Sequence, residues 1–141
     1  MTERGAGDEI ARFAALSTSG DYRDRVAAVV GLAQFAEVPA VRKQLQQLVL
    51  DPEDTAVTEA GARALMARVD EPGLRVLSAA LQEADDNHAD WIEAGIADAL
   101  GESVEIREWA LTTAAQFSTV LQEPASDPTR LVAVLRQAGR A

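Results

Sequence analysis

Apolar residues recur along this chain at three- and four-residue steps, the spacing of helices with one buried face. Val26, Val29, Val30 and Ala33 stand at i, i+3, i+4 and i+7. Val41, Leu45, Leu48 and Val49 form the next stripe, and Leu74, Leu77 and Leu81 another. Further on come Ile92, Gly95, Ile96, Ala99 and Leu100, then Ile106, Ala110, Ala114, Phe117 and Leu121, then Leu131, Val134 and Leu135. A shorter stripe, Ile10, Phe13 and Ala14, precedes them all. Start signals divide the pattern into eight expected helices. The first runs from about Asp8 to Leu16, leaving residues 1–7 flexible, and the second starts at Asp21, whose side chain can cap. Pro39 and Pro72 open the third and fifth, since proline lacks an N–H that the first turn leaves without a helical partner anyway. Asp51-Pro52 and Asp127-Pro128 read as N-cap and first residue of the fourth, which reaches about Val69, and of the eighth. Glu83 to Ala89 reads as a polar connection before the sixth, which ends near Gly101. The seventh spans Ser103 to about Leu121, and Gln122 to Ser126 reads as a linker.

The helices repeat. Sliding Glu37–Leu50 onto Glu71–Leu81 by 33 residues brings Pro39 to Pro72, Val41 to Leu74, Arg42 to Arg75 and Leu48 to Leu81. The apolar-Arg pair returns at Ile106-Arg107, 32 residues further on. Three Ala-rich runs alternate with the copies: Val26 to Leu32, Glu59 to Leu65 and Glu93 to Leu100. Such a period, with proline at helix starts, is the mark of stacked helix pairs. The expectation is a single all-α domain over 1–141, a short α-solenoid of about four antiparallel pairs: 1–2, 3–4, 5–6 and 7–8. Gly31, Gly61 and Gly95 fall inside the second helix of three pairs. Each costs roughly 1 kcal/mol of helix propensity against Ala, and close helix approach is the expected return.

The run Leu50-Asp-Pro-Glu-Asp-Thr-Ala-Val-Thr-Glu-Ala-Gly-Ala-Arg-Ala-Leu65 resembles the inter-helix turn and second helix of a HEAT repeat of the short bacterial kind. Asp21 to Leu32 is similar, and Asp127 to Leu135 fainter. The resemblance implies an Asp in the turn tied to an Arg early in a second helix of an adjacent repeat. Arg25 fits that place, whereas Thr58, and Trp91 or Ile92, occupy it in the next two repeats. It implies a protein-binding scaffold more readily than a nucleic-acid-binding or lyase-like offshoot, and it specifies architecture better than chemistry.

Charge sharpens the picture. The net charge is −10, and residues 83–108 alone carry −8 of it. Such a field repels phosphate backbones and attracts basic protein surfaces, so a basic protein is the expected partner and nucleic acid is not. There is no Cys, hence no disulfide framework and no thiolate chemistry. The first residues carry no apolar h-region and no run is long enough to span a bilayer, so a cytoplasmic protein is expected.

Candidate chemistry is sparse. His88 is the only histidine, set in Asp85-Asp-Asn-His-Ala-Asp90. It reads either as a metal ligand or general base, or as part of a solvated connection whose acids cap the sixth helix. Against a Ca²⁺ loop, Trp91 stands where Gly is required and Ala97 where Glu is required. Trp91 lies about 100° from the Ile92 stripe and reads as a partly exposed anchor or a packed edge residue. Trp109 reads as core. Arg42, Arg75 and Arg107 recur at one position of the first helices, as structural ties rather than an anion ladder. No catalytic residue, metal site or cofactor is expected. The expected function is a non-enzymatic interaction module, in its sharper form an immunity- or antitoxin-like inhibitor, with Asp86, Asp90, Trp91, Glu93, Asp98, Glu105 and Glu108 as the partner-binding surface. The alternatives are an enzyme or cofactor-handling protein of the lyase-like HEAT type, and self-association, so that monomer and homodimer both stay open.

Overall fold

The computed structural model describes residues 3–120 and 129–140. Eight helices follow in chain order: α1 Glu3–Leu16, α2 Tyr22–Ala33, α3 Pro39–Val49, α4 Thr55–Ala67, α5 Glu71–Glu83, α6 Asp86–Glu102, α7 Val104–Val120 and α8 Thr129–Arg140. No strand occurs among the described residues. The expected linker at Gln122–Ser126, the start at Asp127-Pro128, Leu121, and the side chains of Ala114 and Phe117 lie outside what is described.

Aspartate caps set the starts of α2, α4, α5 and α6. Asp21 accepts the Arg23 N–H at 2.9 Å, Asp54 the Ala56 N–H at 2.9 Å, Asp70 the Gly73 N–H at 3.0 Å and Asp85 the His88 N–H at 2.7 Å. Pro39 and Pro72 both sit in first turns, as expected. Three boundaries differ from the sequence reading. α1 begins at Glu3 rather than Asp8: Gly5 and Gly7 weaken its propensity, but Ala6 packs against the core and carries the helix back. α4 begins after Asp54, whose carboxylate accepts the Ala56 N–H, while Asp51 closes the turn before it through the Asp54 N–H and holds Arg25. α6 begins at Asp86, so the expected seven-residue connection shrinks to Ala84 and Asp85. The polar residues there are first-turn acids facing a positive helix end, not loop.

The buried stripes of α3, α5, α6 and α8 are those expected. In α2 the face is turned: Val30 is exposed, Val26 half-buried, and Arg25, Ala28, Val29, Leu32 and Ala33 are inside. Tertiary packing selects that rotation, because α2 must meet both α1 and α4.

Each expected pair is in contact: α1 with α2, α3 with α4, α5 with α6 and α7 with α8. Between pairs, α2 packs on α4, α4 on α6 and α3 on α5, while α8 lies against both α5 and α6. The direction of α2, α4 and α6 can be read from their contacts. A Cβ at Gly61 would meet Val29, and Arg68 just past α4 donates to the Ala33 carbonyl at 2.7 Å. Gly95 lies on Glu59 to Arg63, and Glu102 pairs with Arg63. Numbers rise together along each contact, so the three helices run parallel, and partners are separated by about one sequence period.

The glycines allow this approach. A Cβ at Gly95 would stand 2.5 Å from the Glu59 carbonyl oxygen, backbone against backbone. At Gly31 the Phe13 ring of α1 occupies the space a side chain would need. One strained residue marks a helix end: Val69, with φ 49°, follows α4 in the left-handed region that disfavours β-branched side chains. It occupies the place where Gly commonly ends a helix.

The α4–α6 contact yields a paired expectation. Gly95→Ala should lower unfolding free energy by about 2 kcal/mol, because the clash is with backbone that cannot rotate away. Gly101→Ala, where a Cβ meets nothing within 4 Å, should raise it by about 0.5 kcal/mol through propensity alone. Urea unfolding of both variants checks it, and equal effects would deny the close approach its role.

Candidate functional site

Two places gather chemically capable side chains: the edge where first helices end and second helices begin, and the outer surface of α6.

At the edge, one guanidinium and one imidazole converge on Asp51, which lies in the turn between α3 and α4. Arg25 Nε donates to Asp51 Oδ1 at 2.9 Å and Nη2 to Oδ2 at 3.3 Å, while Nη1 donates to the Ser19 carbonyl at 2.9 Å. Both side chains are buried, 8% and 7% exposed. Asp51 Oδ2 also accepts the Asp54 N–H at 2.8 Å and the Glu53 N–H at 3.3 Å, so its lone pairs are spent on the turn and on Arg25. From the other side His88 Nε2 approaches the Asp51 carbonyl oxygen at 2.8 Å, and its Nδ1 approaches Asp85 Oδ1 at 2.8 Å. A carbonyl and a carboxylate can only accept, so a ring that satisfies both must carry both protons. The His88 pKa is accordingly raised, first by the Asp51 carbonyl and then by Asp85, against the opposing effect of burial.

This network joins three helix pairs. Among the described residues the expected Arg–Asp tie exists once, from Arg25, and the two later positions use other means. Thr58, the fourth residue of α4 as Arg25 is of α2, is fully buried with its hydroxyl unpaired, too short to cross. His88 reaches back instead, and in the last pair Arg130 Nη1 donates to the Leu81 carbonyl at 2.9 Å. His88 is therefore neither the solvated loop residue nor, from its contacts, a group aimed at a substrate: both nitrogens are held by the chain itself. No three His, Asp or Glu side chains converge among the described residues. Shallow polar depressions flank Asp51, lined by Ser17, Thr18, Ser19 and Gln44 among others. Gln44 Oε1 is buried there without a partner among the described residues.

The arginine ladder of the first helices is only partly a set of ties. Arg75 pairs with Glu71 four residues earlier, with Nε–H donating at 2.7 Å. No described residue pairs with the side chains of Arg42 or Arg107. Positions four away are Val38 and Gln46, and Ser103 and Leu111, so no acid stands at the helical spacing an ion pair needs.

On α6 the predicted surface residues separate into groups. Asp86, Asp90 and Glu93 form one stripe, about 120° round the helix from Trp91 and Asp98. Asp86 and Asp90 are exposed and Glu93 half-buried. Trp91 is 37% exposed, whereas Trp109 packs against the core, as expected. Asp98 meets Glu59 of α4, and that contact, with burial, holds the Glu59 carboxyl above its ordinary range. Glu105 accepts the Ser103 hydroxyl at 2.8 Å, which depresses its pKa, and Glu108 is exposed. Asp86 and Glu102 are separated by about 24 Å at 1.5 Å per residue. The acids therefore line the length of a helix and the start of the next rather than one compact patch. Glu59 was not foreseen as part of this surface: it lies in another repeat, and only the parallel packing of α4 and α6 brings it to Asp98.

No protein-family model, curated protein or solved structure matches the chain.

Two expectations concern the edge network. Asp51→Ala leaves the Arg25 charge buried without its acid, so its thermal midpoint should fall further than that of Asp21→Ala, which removes an exposed pair. Equal midpoints would make the buried pair dispensable. For His88 the folded pKa lies above the ordinary 6.5, so its contribution is complete below about pH 6.5 and is lost as pH rises through the folded value. The stability difference between the parent and His88→Gln should therefore be larger near pH 5.5 than near pH 8.5, on the order of those pH limits. A difference flat across that range would show that the ring's charge contributes nothing.

Proposed function

We propose that this chain is a non-enzymatic protein-interaction module, a short HEAT-like solenoid whose acidic α6 surface binds a basic polypeptide. The observation that carries the reading is the state of α6. His88 in its first turn is spent on holding helix pairs together, and its outer surface keeps an exposed Trp91 beside acids that no cation of the chain neutralises among the described residues: Asp86, Asp90 and Asp98. A large aromatic left partly exposed within a one-signed field is the composition of a binding anchor with electrostatic steering. Parallel second helices offset by one sequence period support the solenoid part of the reading. An inhibitor that masks a basic toxin or nuclease is its sharper form.

The test neutralises the Asp86, Asp90 and Glu93 stripe of α6 together with Glu108 of α7. Asp86→Asn, Asp90→Asn, Glu93→Gln and Glu108→Gln are combined, and circular dichroism confirms the fold. Basic proteins captured by the parent from native lysate should bind the variant at least about tenfold more weakly, with a shallower salt dependence. Unchanged affinity and unchanged salt dependence would reduce the stripe to a solvated face.

A further inference from the structure

The ring of His88 lies between two acceptors that belong to different helix pairs. Nδ1 approaches Asp85 Oδ1 at the start of its own helix at 2.8 Å, and Nε2 approaches the Asp51 carbonyl oxygen of the α3–α4 turn at 2.8 Å. Neither acceptor can donate, so both bonds exist together only while the ring carries two protons. The side chain is 16% exposed, which lets solvent deliver and remove the second proton. Asp85 is the acid in ion-pair contact with the ring. The α3–α4 turn adds Asp51, whose carboxylate is committed to Arg25 and to the Asp54 N–H. No charged side chain of α4, α5, α7 or α8, the helices packed on α6, makes an ion pair with the ring among the described residues.

When one proton leaves, the two bonds are not lost equally. A carboxylate holds an N–H more strongly than a neutral carbonyl does. The remaining proton therefore stays on Nδ1, facing Asp85, and Nε2 is left with a lone pair aimed at the Asp51 carbonyl. Two acceptors at 2.8 Å repel, so the bond that fails is the one between helix pairs. The rest of α6 has other anchors: Gly95 against the α4 backbone and Glu102 paired with Arg63. Release is thus confined to the first turns of α6, and Trp91 stands there, less than one turn beyond His88. Resting on the reading of α6 as the partner-binding helix, we propose that His88 is a proton-controlled latch on that surface. The charged ring fastens the start of α6 to the α3–α4 turn, and the neutral ring releases it and leaves Trp91 on a loosened turn. The fastened form is the better binder, because a surface already in place loses less freedom on association. The Asp51 carbonyl and Asp85 both raise the ring's pKa, so release begins above the ordinary 6.5.

The experiment uses the full chain at about pH 5.5 and about pH 8.5, on either side of the ordinary imidazole range. His88 is the only histidine, so the nitrogen resonances of its ring need no assignment. They should pass from the doubly protonated ring to the Nδ1–H tautomer, the opposite of the form a free histidine favours. Amide hydrogen exchange, corrected for its intrinsic pH dependence, should lose protection several-fold at residues 90–93 and keep it at residues 97–100. Octa-arginine, the basic probe, should bind the parent about threefold more tightly at the lower pH, and His88→Gln should show no such gain. A positive charge gained at His88 would by itself weaken a basic probe, so the sign separates a latch from a plain charge effect. An Nε2–H tautomer at the higher pH, or unchanged protection at residues 90–93, would overturn the latch. So would octa-arginine binding that weakens on acidification, or an equal gain in His88→Gln. Failure of the α6 reading looks different: octa-arginine binds the parent at neither pH, and the ring and exchange measurements still decide whether His88 latches the helix.

Discussion

The buried Arg25–Asp51 pair is the constraint on which the arrangement of the helix pairs depends. Two charges taken out of water are tolerable only when geometry and further hydrogen bonds satisfy them, and here every polar atom is used. The guanidinium spans two carboxylate oxygens and the Ser19 carbonyl, and the carboxylate also closes its own turn through the Asp54 N–H. Because Asp51 is held this way, its carbonyl points where His88 can reach it. One aspartate thereby fixes the first pair to the second and the second to the third.

That edge network restrains one end of the second helices, and the glycines govern their flanks. Gly61 takes Val29 and Val49 into the space of a side chain, and Gly95 takes the α4 backbone. The propensity lost at each is returned as contact area between helices that could not otherwise come so near. The parallel course of α2, α4 and α6 follows, and with it the alignment of α4 and α6 side chains in rungs. The strain at Val69 belongs to the same economy of packing: the chain leaves α4 sharply, and Arg68 before it reaches the Ala33 carbonyl, Glu37 and Asp70.

The acidic charge is divided by this framework into parts with different uses. Asp85 caps α6 and holds His88, Glu102 balances Arg63, and Glu105 accepts from Ser103. These are structural tasks that a net charge does not reveal. What remains, Asp86 and Asp90 on one stripe and Asp98 against Glu59 beside Trp91 on the other, supports the binding reading.

Periodicity in the sequence was enough to determine the helix class, the number of helices and most of their buried faces, because a 3.6-residue stripe and a proline at a helix start are local physics. The interior glycines likewise foretold close approach between helices. Local signals could not say which of two nearby aspartates caps α4: Asp51 closes the turn and holds Arg25, and Asp54 accepts the N–H in the first turn of the helix. Nor could they orient α2, whose Val30 fits a buried stripe by spacing yet faces solvent because α1 and α4 take the other side. His88 looked like a loop residue with acids on either side, and its place as a bridge depends on a turn 37 residues away. The Glu59–Asp98 contact was illegible for the same reason: the two acids are 39 positions apart, and only the parallel packing of two helices makes them neighbours.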